Sequence, residues 1–196
     1  MNVSLAVIAG PVENVGTNAS IDEQLVAALA SYRPYGGTAI LKLRNLESDH
    51  RKKFIQSLLK TLNDPQLDNQ DFAKNVAAYY LGELSASEAV DSLAAHITIN
   101  SPPIDPRDFF PGAFPAAFAL INIGAQSIPA VMRNITESDD EQVRHLSVFV
   151  INWIEGQNKD VTQFRLQKAL DAQSDPAKKA RVQAVLESLS NYLKLP

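Results

Sequence analysis

Residues 77–93 read AAYYLGELSASEAVDSL, and residues 116–132 read AAFALINIGAQSIPAVM. Both open on two alanines and an aromatic, continue through Leu-x-x-Leu or Leu-x-x-Ile, turn on small residues and enter a second apolar segment. Setting Leu81 against Leu120 brings Leu84 onto Ile123 and, after one gap, Val90 onto Ile128, an offset of about 39 residues. Self-similarity at such a period marks stacked helices, in which each unit has an apolar face that only its neighbour can bury. A third unit is expected at Val143–Leu146 through Ile151–Ile154, followed by Leu166 and Leu170.

Outward from these copies, helical periodicity continues. Phe72, Val76, Tyr80 and Leu84 recur every four residues. Val143, Leu146, Val150, Trp153 and Ile154 form an apolar stripe, as do Val182, Val185, Leu186, Leu189 and Leu193. The spacing predicts helices over 21–32, 38–46, 49–62, 70–84, 87–97, 113–123, 126–136, 139–155, 161–172 and 176–194, with a strand as the alternative at Thr38-Ala-Ile-Leu-Lys-Leu43, which follows Gly36-Gly37. Ser20-Ile-Asp-Glu23, Ser85-Ala-Ser-Glu88 and Ser138-Asp-Asp-Glu141 have the spacing of capping boxes, in which a serine oxygen accepts an otherwise unpaired first-turn N–H. Asp175-Pro176 sets a capping residue before a first-turn proline. Lys178, Lys179, Arg181 and Glu187 give the last helix a charged side suited to capping an open end.

Residues 100–115, NSPPIDPRDFFPGAFP, hold five of the eleven prolines and cannot form a continuous helix, since each proline removes a backbone donor. They read as an ordered loop inserted between repeats within one domain spanning 1–196. The apolar Val3–Ala9 falls in an N-terminal arm, 1–19, or in the remnant of a targeting segment. The first reading favours a cytoplasmic protein, the second a periplasmic or secreted one.

The motif Ala116-Ala117-Phe118-Ala119-Leu120-Ile121-Asn122-Ile123-Gly124, followed by Ser127-Ile128-Pro129-Ala130-Val131, resembles the HEAT repeat family, in the short bacterial form also found in phycobilin lyases. Val143-Arg144 matches the "VR" that opens such a repeat, and Leu81-Gly82 keeps its glycine. The resemblance covers 70–172 and implies an all-α fold, a short right-handed solenoid of antiparallel helix pairs with roughly ten helices. It implies a concave face built from the second helices and a partner that is another protein. The alternative it carries is a ligand-handling, lyase-like protein with a small-molecule pocket.

Composition narrows the chemistry. With no cysteine, the chain has no disulfides, thiolate nucleophiles or cysteine zinc ligands. A net charge of −4 and a pI near 5.4 oppose nonspecific nucleic-acid binding, which needs a basic footprint. No run of about 20 apolar residues predicts a membrane span. His50, His96 and His145 are far apart and lack metal-ligand spacing. Asp139-Asp140-Glu141 is explained as a helix start, and Arg51-Lys52-Lys53 with Lys60 as a solvated face. N-x-S/T triplets begin at Asn2, Asn18 and Asn134, and carry meaning only in a glycosylating pathway. No nucleophile elbow, phosphate loop or dinucleotide fingerprint appears. The expectation is therefore a non-enzymatic interaction or scaffold protein with no catalytic residue, cofactor or metal. Its candidate partner contact is the proline loop, at Arg107, Asp108, Phe109 and Phe110, where aromatics stand beside an arginine. The competing expectation is that Phe109, Phe110 and Phe114 tuck under the loop and fill the gap between repeats.

Overall fold

A computed structural model describes residues 48–68, 72–100 and 114–194. The helices expected at 21–32 and 38–46, the N-terminal arm and most of the proline loop lie outside the described residues. Within them the fold is all-α. In chain order run α1 (Ser48–Leu62), α2 (Phe72–Glu83), a 3-10 turn (Ser87–Ala89), α3 (Val90–Ala95) and α4 (Pro115–Ile123). A second 3-10 turn (Gly124–Ser127) leads to α5 (Ile128–Glu137), α6 (Glu141–Ile154), α7 (Lys159–Ala172), α8 (Pro176–Glu187) and α9 (Leu189–Tyr192).

The helices form two layers. In one, α2 packs on α4 and α4 on α6; in the other, α3 packs on α5 and α5 on α8. The two alanine-rich copies supply α2 and α4, whose Ala77, Ala78, Ala116 and Ala117 are buried. Small side chains there let the helix axes approach. The approach is tight at Gly82, where a side-chain methyl group, if there were one, would lie 2.6 Å from the Ala119 Cα. Leu81, Leu120 and Ile151 have no exposed surface and form the centre of this layer.

Two features depart from an even stack. Consecutive helices pack closely as α1–α2, α3–α4 and α5–α6, whereas α2/α3 and α4/α5, the pairs the sequence repeat suggests, do not have extensive mutual contacts. Further along, α7 packs against α6 and α8, and it is α8 that leans on α5. Two members of the charged side of α8, Lys178 and Arg181, thus form a joint within the stack, whereas Lys179 and Glu187 are solvated as expected of a cap. Lys178 Nζ reaches Glu137 Oε1 at 2.6 Å, and Arg181 bonds Asp139 Oδ1 and, at 3.2 Å, the Thr136 carbonyl that α5 leaves open at its end. The expected 176–194 helix breaks at Ser188, with φ −115° and ψ 19°.

The helix ends also differ from two of the expected caps. Ser85 does not open the helix after it. It closes α2 at φ +47°, with its N–H donating to Gly82 O at 2.9 Å and the Ala86 N–H donating to Leu81 O at 3.0 Å. This paired arrangement satisfies the last carbonyls of a helix and usually takes glycine. Ser85→Gly is therefore expected to raise stability by about 1 kcal/mol in a urea titration, since an L-residue in left-handed backbone is strained. A loss of stability would restore the capping-box reading. At 138–141 the cap is Asp140, not Ser138: its carboxylate accepts from Gln142 N at 2.8 Å and Val143 N at 3.4 Å. Asp175 caps α8 as expected, accepting from Ala177 N at 2.8 Å.

Candidate functional site

Arg107, Asp108, Phe109 and Phe110, the candidate contact loop, lie outside the described residues. The end of the same loop is described, and there Phe114 is buried against the core, as the gap-filling expectation requires of that ring. Of the other singled-out groups, Arg51 is not simply solvated. Its guanidinium donates to Leu84 O at 2.7 Å, closing α2, and lies 3.9 Å from Glu88; Lys52, Lys53 and Lys60 are exposed. Asn134 is inside α5, and its amide donates to Ala94 O at 2.9 Å, tying α5 to α3. His145 stacks near Tyr192 and its Nε2 lies 2.7 Å from Lys194 O, which anchors the chain end on α6. The side chain of His50 is not described.

His96 ends α3 and is half-buried. Burial, and then the positive charge of Lys74, lowers its pKa from the ordinary imidazole value. The unfolded chain therefore takes up this proton first as pH falls, so the folded state loses stability below about pH 6.5. Urea midpoints measured above and below that pH should fall for the wild type and fall less for His96→Gln. Equal losses in both proteins would remove His96 as the cause.

The described surface has an apolar groove between α5 and α7, of about 460 Å³. Its α5 wall is Met132, and its α7 wall is Val161, Phe164 and Ala169 with the stem of Lys168. The groove lies where α8, rather than α7, packs on α5. The inner face of α7 is a narrow stripe, with Thr162, Leu166 and Leu170 buried at four-residue spacing. Phe164 stands two residues from both Thr162 and Leu166, about 200° around the helix, and points away from that stripe. It is 60% exposed, and Val161 is 41% exposed. Lys168 places its ammonium 4.9 Å from the centre of the Phe164 ring.

One end of the groove is held by polar groups. Glu155 accepts from Arg165 Nε at 2.5 Å and from the buried Thr162 hydroxyl at 3.2 Å. The same hydroxyl lies 3.3 Å from Asn152 Oδ1, so the end of α6 and the start of α7 are joined by one network. Gly156 makes the joint possible: at φ +71° its N–H donates to Trp153 O at 3.1 Å while the chain reverses. Arg165 and Glu155 neutralise each other. Among the described residues, Lys168 has no carboxylate partner.

A second exposed apolar feature belongs to the α2–α4–α6 layer. Phe118 meets Phe149 edge-on at 6.1 Å, and Phe149 lies 5.9 Å from Trp153. Trp153 is 41% exposed, which departs from its place on an expected core stripe. Tyr79, Phe118 and Phe149 each stand two residues before the fully buried Leu81, Leu120 and Ile151. The third copy of the repeat is therefore Ser147-Val-Phe-Val-Ile-Asn152, in register with Ala77–Gly82 and Ala116–Ile121. The aromatic-x-aliphatic spacing was its available signal, although serine and valine replace the alanines.

No protein-family profile, curated protein or solved structure matches the chain. Among the described residues, no cluster of three or more His, Asp or Glu side chains has metal-binding geometry.

Proposed function

We propose that the protein is an interaction module, a HEAT-like stack that presents a rigid surface to another protein and carries out no chemistry itself. The observation that supports this is where its exposed hydrophobic groups lie. The large hydrophobic side chains exposed among the described residues, Trp153, Val161 and Phe164, lie on the two helices joined by the α6–α7 turn, Trp153 beside Phe149 and Val161 and Phe164 at the groove. Single exposed apolar groups are ordinary; several large ones on two consecutive helices are typical of contact surfaces, which are enriched in aromatics. The joint is preorganised by the Glu155–Arg165–Thr162 network and by continuous packing to the core, so binding would order few side chains.

The test is crosslinking in cells that make the protein naturally. A benzophenone amino acid is placed in turn at Trp153, at Phe164 and at the exposed polar position Lys179. The expected result is a discrete crosslinked protein species from Trp153 or Phe164 and none from Lys179. The same faint smear from all three positions would sink the reading.

A further inference from the structure

We infer that the groove between α5 and α7 receives an amphipathic helix of a partner protein, one that sets a large apolar side chain beside Phe164 and a carboxylate beside Lys168. This rests on the interaction reading above and names the surface and the chemistry of the partner.

Three observations lead to it. The groove lies between two helices rather than inside the fold, and its α7 wall is open, with Phe164 60% exposed. A small molecule is usually enclosed by its site; such open walls instead match the way an amphipathic helix lays one face into a groove. Met132, Val161, Phe164 and Ala169 give the walls apolar surface beside the charged Arg165 and Lys168, so the occupant must present apolar anchors, at helical spacing of three and four residues if it is a helix. The charge of the groove is one-sided. Glu155 is spent on Arg165, whereas Lys168, with no carboxylate partner among the described residues, sets its ammonium 4.9 Å from the Phe164 ring. A carboxylate on the incoming helix would complete a Lys168 pair at the rim, where complementary charge selects the partner and its register more than it adds affinity. A basic helix would meet an uncompensated cation.

Phe164 and Lys168 are exposed, so changing them should leave folding intact, which is checked by the unfolding midpoint. The full chain is used to select binders from a displayed library of short amphipathic helices with randomised apolar and charged positions. The expected outcome is enrichment of peptides with large apolar anchors flanked by Asp or Glu. These should bind at least about tenfold more weakly to Phe164→Ser and to Lys168→Glu. Replacing the peptide's acidic residue by lysine should weaken binding to the wild type and restore it to Lys168→Glu. The inference is overturned by any of four results: no enrichment, enrichment of basic peptides, binding undiminished by Phe164→Ser, or self-association that Phe164→Ser abolishes. Saturable binding of dodecanoate in place of any peptide would also overturn it. Crosslinks from Trp153 with silence at Phe164 would remove the groove while leaving the interaction reading in place.

Discussion

Gly82→Ala is expected to destabilise the protein by about 2 kcal/mol, although alanine is the better helix former by about 1 kcal/mol. Gly82 is in the last turns of α2, where a Cβ would lie 2.6 Å from the Ala119 Cα and 2.8 Å from its Cβ. The nearest atom belongs to the backbone of α4 and cannot rotate away. The helices must separate instead, and Leu81 and Leu120 lose packing with them. Helix propensity and tertiary contact thus predict opposite signs. A fall in the urea midpoint without a change in slope is the expected result, since the native contacts weaken while the surface exposed on unfolding stays similar. Adding Ala119→Gly should recover only part of the loss, because it removes the 2.8 Å contact and leaves the 2.6 Å one. A stabilised Gly82→Ala protein would mean that α2 and α4 do not cross at this point.

Leu120→Ala is expected to cost about 3–5 kcal/mol, near the top of the range for buried leucine. Leu120 has no exposed surface, and α4 is held by α2, α3 and α6, so the surrounding helices have little freedom to collapse into the cavity. A truncation on α7 gives the contrast: Phe164→Ser, at an exposed position, should change stability by no more than about 0.5 kcal/mol. Thermal or urea unfolding of both variants measures the difference. Comparable losses would mean that Phe164 is a core residue and that the groove is closed in solution.

The acid side of the stability profile follows from local contacts. Glu137 is held below the usual carboxylate range by its hydrogen bond from Lys178, and Asp175 by the backbone N–H groups of Lys178 and Ala177. Both carboxylates lie at the α5–α8 joint, so their contribution is present above the ordinary carboxylate pKa and lost as pH falls through the lowered values. His96 acts at a higher pH than either, which separates the two effects along a titration.

Much of the core is legible from spacing alone. Leu81, Leu120, Val131, Leu146, Leu166 and Val182 fall on apolar helix faces in the sequence, and all are buried. Asp175 reads correctly as a cap because aspartate before a first-turn proline has few other roles. Ser85 reads wrongly, because the same serine suits a helix start or, in left-handed backbone, a helix end. The residues that matter at the groove have one visible sign: Phe164 is out of step with the Thr162–Leu166–Leu170 stripe. Its exposure cannot be read from that sign, since an aromatic on the opposite face is equally consistent with a helix buried on both sides.

The sequence by itself determined an all-α chain, the alanine-rich and leucine-rich faces that stack, and the equivalence of Ala77–Gly82 with Ala116–Ile121. Periodicity is a local property, and local properties decide which residues form helices and which side of each is apolar. Only the tertiary structure decided that α8 rather than α7 leans on α5, that α2 and α4 meet at Gly82, and that Phe164 and Lys168 line an open groove. Those outcomes depend on which apolar face meets which. Many pairings bury similar area, and the choice among them is made by close packing and by ties such as Arg181 to the end of α5.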